Sequence, residues 1–210
     1  MPNWCYNTIR IRGPKREIDK FENHLNETDG KEWFSYFVKP DHELKYDEWY
    51  GWNIENYGCK WNCDAIDWFR EDDETMSFTF DSPWGPPIAL YENIECIELE
   101  SESGHIDYYR VDAEYLEEGM SFMGRFIDGE DEYYEYSDLA SLDNIPESLV
   151  EHWGIRDRML DDLEDEDYEE YEPSDEDEEG GEYNQEDIEQ ALNELKAEFD
   201  RLQAEEEKKK

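Results

Sequence analysis

Asn7-Thr8-Ile9-Arg10-Ile11-Arg12, closed by Gly13-Pro14, is the stretch that sets the fold. Apolar and polar side chains alternate along it, the period of a strand with one buried face. Pro14 then suits the first turn of a helix, because its missing N–H is unpaired there anyway. Ile18, Phe21 and Leu25 follow at helical spacing, and Asp29-Gly30 ends that helix. A β-α start of this kind commits the chain to a sheet with packed helices.

Working outward, Trp33–Val38 is a second aromatic, apolar run before Pro40. Residues 41–58 are aromatic but irregular and read as a long structured loop. Lys60–Phe69 and Thr75–Phe80 are strand candidates, the second alternating at Met76, Phe78 and Phe80. Ser82-Pro83-Trp84-Gly85-Pro86-Pro87 forms a turn, and a proline in it opens a short helix through Ile88, Leu90, Tyr91 and Ile94. Three strand-like runs follow, Tyr108–Leu116, Met120–Ile127 and Glu132–Tyr136. Glu117-Glu118-Gly119 separates the first two, and Asp128-Gly129 marks a hairpin between the others. The order β-α-β-β-α-β-β-β predicts an α+β domain over 1–140, an antiparallel-rich sheet with helices on one face. Pro146–Trp153 predicts a short helix within a helical extension over 141–160.

Charge divides the chain unevenly. The 210 residues include 62 acidic and 19 basic side chains, a formal charge of −43, far beyond the ~2 to 8 that keeps a small domain soluble. Residues 1–70 hold 13 acidic and 10 basic side chains, whereas residues 71–160 hold 25 and 4. Residues 161–182 contain 15 Asp or Glu and no Lys or Arg. Such a block is expected to be a solvated, disordered linker over 161–183. Beyond it, Ile188, Leu192, Leu195, Phe199 and Leu202 form a heptad seam, predicting an amphipathic helix over 184–208. That helix would pack on the domain or give weak homo-oligomers. The 8 Trp, 15 Tyr and 9 Phe argue against a wholly disordered polyanion.

No charged n-region and apolar stretch opens the chain, and no apolar run approaches the ~20 residues of a membrane span. Four cysteines without an export signal read as reduced thiols, so the expectation is a cytoplasmic protein away from membranes.

Three strings occur in order: Met1-Pro2-Asn3-Trp4-Cys5-Tyr6-Asn7, Asn56-Tyr57-Gly58-Cys59-Lys60-Trp61-Asn62 and Ser82-Pro83-Trp84-Gly85-Pro86-Pro87. Together they resemble the YubB ferredoxin-like domain family of phage- and plasmid-encoded proteins. The family's middle motif reads Trp-Gly-Thr-Lys-Trp-Asp. Gly58, Lys60 and Trp61 match it, while Tyr57, Cys59 and Asn62 depart from it. The resemblance covers roughly residues 1–136. It implies a ferredoxin-like α+β sandwich and little about activity.

Signals of catalysis are weak. Cys59-x3-Cys63, with Cys5 and Cys96 as partners, lacks the two close pairs usual for structural zinc, and inert thiols are the simpler reading. His24, His42, His105 and His152 show no metalloprotease or nucleophile–base spacing. The acidic block lacks the order of an EF-hand loop. No cofactor or metal is expected, and no catalytic residue is assigned.

A binding role is expected instead. Direct nucleic-acid binding is disfavoured by the sign of the charge. A row of carboxylates resembles a row of phosphates, and it would attract a host protein with a basic nucleic-acid groove, such as a defence or restriction component. Glu130, Asp131, Glu132 and Glu135, with Asp161, Asp162, Glu164 and Asp165 of the acidic block, are the candidate partner-binding residues of such a mimic. The alternative is a small-molecule or nucleotide pocket formed by Trp52, Asn53, Lys60, Trp61 and Trp84. Those aromatics serve equally well as core and corner residues of the sheet.

Overall fold

A computed structural model describes residues 2–100 and 104–169. Strand β1 (Trp4–Arg12) leads into α1 (Lys15–Thr28) through Pro14 at the N-cap. Asp29 ends α1 in the left-handed conformation, its N–H donating to the Leu25 carbonyl. Two short helices, α2 (Phe34–Phe37) and α3 (Trp49–Tyr57), precede the hairpin of β2 (Ile66–Asp72) and β3 (Thr75–Pro83). Helix α4 (Ile88–Glu95) and a small two-stranded sheet, β4 (Glu98–Glu100) with β5 (Ile106–Tyr108), lead to β6 (Arg110–Glu117). The meander closes with β7 (Phe122–Ile127) and β8 (Glu130–Glu135). A 3-10 turn (Ser141–Asn144), α5 (Glu147–Trp153) and α6 (Ile155–Glu169) follow.

The main sheet has the order β2-β3-β1-β6-β7-β8, with every neighbouring pair antiparallel. Its first four strands, with α1 and α4 as crossovers, reproduce the ferredoxin-like β-α-β-β-α-β arrangement. The β7–β8 meander extends the β6 edge. Asp128 and Gly129, at φ 52° and 77°, make the two-residue turn that joins β7 to β8, as a type I′ hairpin requires.

Alternation decides which side chains meet the helices. Cys5, Asn7, Ile9 and Ile11 of β1 point inward beside Ser82, Phe80, Phe78 and Met76 of β3. Ile18, Phe21 and Leu25 of α1 close over them, and Trp33 sits among Phe34, Phe78 and Phe80 with ring centroids 4.6, 4.9 and 5.1 Å away. Burying rings of this size stabilises by roughly 1.5–3 kcal/mol each.

Three expectations need correction. Helices do not occupy one face alone: Leu116 and Met123 point to the opposite face, where Leu142, Leu149, Val150 and Ile155 form a second core with them. The Trp49–Tyr57 stretch is a helix rather than loop, tied to α4 by an Asn93 side-chain hydrogen bond to the Asn56 carbonyl at 3.0 Å. Finally, Lys60–Ala65 precedes the strand, which begins at Ile66.

Helix α6 takes in residues 161–169, the first part of the acidic block. The rest of that block and the expected helix over 184–208 lie outside the described residues.

Candidate functional site

The family-like strings converge at one end of β1 and β3. Trp4 pairs in register with Pro83, and the Trp84 N–H donates to the Asn3 carbonyl at 2.9 Å. Beneath them, buried Asn7 donates from Nδ2 to the Cys5 carbonyl (2.7 Å), the Phe80 carbonyl (3.3 Å) and Ser82 Oγ (2.8 Å). Its Oδ1 accepts from the Tyr91 hydroxyl at 3.3 Å, and Ser82 Oγ passes the chain on to the Gly85 carbonyl at 2.7 Å. A buried amide satisfied on all sides fixes a unique core arrangement.

The five residues considered for a pocket mostly brace this loop. Asn53 Nδ2 donates to the Lys60 carbonyl at 2.9 Å, and the Trp52 ring packs edge-on against Tyr57 at 5.1 Å. Trp61 meets Trp4 edge-on at 6.4 Å, while the Lys60 ammonium stands 4.8 Å from the Trp61 ring centroid. Trp84 is half exposed and holds φ at 73°. The Cys59 and Cys63 thiols both approach the Trp61 carbonyl, at 3.3 and 3.7 Å. Hydrogen bonding to Cys59, with burial, pushes the Cys63 thiol well up. Among the described residues no group of three or more His, Cys, Asp or Glu is placed to hold a metal.

The helix-free part of the second sheet face carries a cleft of about 470 Å³ that sequence reasoning missed. Thr8, Arg10, Glu71, Thr79, Glu114 and Arg125 line it, with His152 of α5 at its wall. Its basic side chains are already partnered. Arg10 pairs with Glu71 at 2.9 Å, Arg125 with Glu132 at 2.6 Å, and His152 Nδ1 lies 3.3 Å from Glu114. Ser77 and Arg10 hydrogen bond to Glu71 and hold its carboxyl below the usual range. The signal was available in principle, since alternation from buried Ile9 and Ile11 puts Thr8, Arg10 and Arg12 on this face.

The expected acidic array on β8 divides between the two faces. Glu130 and Glu132 pair in register with Ile127 and Arg125, whereas Asp131 and Glu135 pair with Phe126 and Phe122 on the other side. Asp131 accepts from the Tyr115 hydroxyl at 2.7 Å, and burial raises its carboxyl above the ordinary range despite that bond. Arg125 holds Glu132 below it. Asp161 and Asp162 are exposed on α6 and border a second groove with Glu118, Tyr136 and Arg158. Glu164 and Asp165 continue the same helix.

The strand order and pairing define the class as a ferredoxin-like α+β domain with an added meander and a helical cover on its second face. No family model matches the chain, and neither a curated protein nor a solved structure matches it. Among the described residues no helix is long and apolar enough to cross a membrane.

Proposed function

We propose that this chain is a non-catalytic binding protein of the YubB type whose acidic surface occupies the basic nucleic-acid groove of a host defence or restriction protein. One observation carries the reading: among the described residues from 71 onward the carboxylates far outnumber the four local cations, and three of those cations are already used internally. Arg125 pairs with Glu132, Arg156 with Asp143 and Glu147, and Arg158 with Glu118. Of the remaining carboxylates, Glu130, Glu135, Glu151, Asp157, Asp161 and Asp162 are exposed to solvent. Folded carboxylates cost less to order at an interface than a flexible brush, and their field steers a basic partner. Because the β8 carboxylates divide between two faces, the reading rests mainly on the exposed carboxylates of α5 and α6, Glu151, Asp157, Asp161 and Asp162.

The test is capture of partners from host lysate, followed by competition between captured protein and duplex DNA. Mimicry requires that DNA and this chain exclude each other. Affinity should fall by about two orders of magnitude or more between about 50 and 200 mM salt, as for multi-phosphate contacts. Affinity that ignores both salt and DNA refutes the reading.

A further inference from the structure

The second sheet face carries, beyond the cleft, a carboxylate among exposed aromatic rings. Asp81 of β3 lies directly opposite Tyr6 of β1, with Trp4 two residues along the same face. Opposed residues in an antiparallel pair stand ~4.5–5.5 Å apart at Cβ, and diagonal ones remain within reach of long side chains. Trp4 and Tyr6 are each 42% exposed, large for rings on the central strand of a sheet. The Asp81 carboxylate is half buried, yet no hydrogen bond or ion pair to it forms among the described residues. Four other carboxylates on this face have partners: Glu71 has Arg10, Asp112 has Arg12, Glu114 has His152 and Glu132 has Arg125. Glu130 is unpaired too among the described residues, but it is exposed rather than half buried.

A half-buried carboxylate left without a cation carries a desolvation cost that a ligand cation would offset. Burial accordingly pushes the Asp81 carboxyl upward. Adjacent ring faces add attraction for the same charge, since π-faces are negative. Lys60 already uses that chemistry on Trp61, which also meets Trp4 edge-on, whereas the Tyr6 ring has no ring or cation partner among the described residues.

The geometry points to Asp81, Tyr6 and Trp4 as an anchor for one arginine side chain of a basic partner protein. A guanidinium fits better than an ammonium because it is planar, stacks on aromatic rings and presents paired N–H donors to a carboxylate. This anchor rests on the basic-partner reading above and names the chemistry of one contact within it. Its residues sit on β1 and β3, whereas the substitutable carboxylates sit on α5 and α6, so the two sets can be changed independently.

The whole protein is titrated calorimetrically with hexa-arginine and hexa-lysine peptides, at low and high salt. Variants are Asp81→Asn, Tyr6→Leu and the triple Glu147→Gln/Glu151→Gln/Asp157→Asn. Asp81→Asn keeps the side-chain shape and removes a charge that the fold disfavours, so it folds stably at neutral pH. Tyr6→Leu supplies an independent probe of the same site. We expect hexa-arginine to bind more tightly than hexa-lysine, and Asp81→Asn and Tyr6→Leu each to weaken hexa-arginine about tenfold. That loss should persist at high salt, where the triple variant behaves as wild type. Asp81→Asn and Tyr6→Leu proteins that bind hexa-arginine as tightly as wild type overturn the anchor. If only the triple variant loses affinity, the anchor falls and the acidic-surface reading stands. If partner binding survives the triple substitution but not Asp81→Asn, the anchor stands and groove mimicry falls.

Discussion

Gly124 in β7 faces the buried Tyr115 ring of β6, and the space for any side chain there is already filled. A Cβ at this position would lie 2.2 Å from Tyr115 Oη and 2.4 Å from both Tyr115 Cζ and the Glu132 carbonyl oxygen. Gly124→Ala must therefore expel the Tyr115 ring or part β7 from β8. Overpacking of a tight site costs ~1–3 kcal/mol. Displacing the Tyr115 hydroxyl from Asp131 also removes a hydrogen bond to a charged group, worth ~1.5–3 kcal/mol. A combined loss of about 3 kcal/mol corresponds to a fall in Tm of ~6–12 °C for a protein of this size. Thermal melting followed by circular dichroism, with urea titration alongside, measures both quantities. A Gly124→Ala protein that melts with the wild type refutes the β6–β7–β8 packing described here, and with it the placement of Asp131.

Two other outcomes follow from buried groups. Asn7→Ala strands the Tyr91 hydroxyl and removes the amide donor to Ser82 Oγ and two β-strand carbonyls, and should cost ~2–4 kcal/mol in urea unfolding; stability equal to wild type would show that the Asn7 network is not formed. In the native protein an aromatic disulfide reagent should label Cys96 rapidly and Cys5, Cys59 and Cys63 only on denaturation, because Cys96 alone is exposed, burial pushes the Cys5 thiol well up, and the hydrogen bond with Cys59, together with burial, does the same to Cys63. Rapid labelling of more than one thiol would contradict this burial.

Much of the fold was legible because its signals are local. Alternation gave β1 and β3, the 18-21-25 spacing gave α1, and Asp128-Gly129 gave the last hairpin. Helix α3 was not legible: Gly51, the aromatics and Asn53 are poor helix formers, and packing against α4 outweighs their propensity. The second core escaped notice for a similar reason. Leu116 reads as one more apolar strand residue, and only the partner elements show that it faces away from Tyr115. Placement of the acidic residues on β8 depended on register, which divides neighbouring carboxylates between faces. Asp81 and Tyr6 lie far apart in the chain, so their meeting was beyond any local pattern.

Among the described residues the main sheet is open, with β2 and β8 at its borders, and an open sheet offers unpaired backbone donors and acceptors at its edges. β8 forms one border with Glu130, Asp131, Glu132 and Glu135, which would bring like charges together in any second copy that tried to pair there. β2 forms the other, and its register against β3 slips between Ile66 and Phe69 and again between Arg70 and Asp72. Those bulges spoil the straight template that strand addition requires. The acidity of β8 therefore also guards against sheet-to-sheet polymerisation, and replacing its carboxylates with neutral side chains would trade solubility for fibre formation.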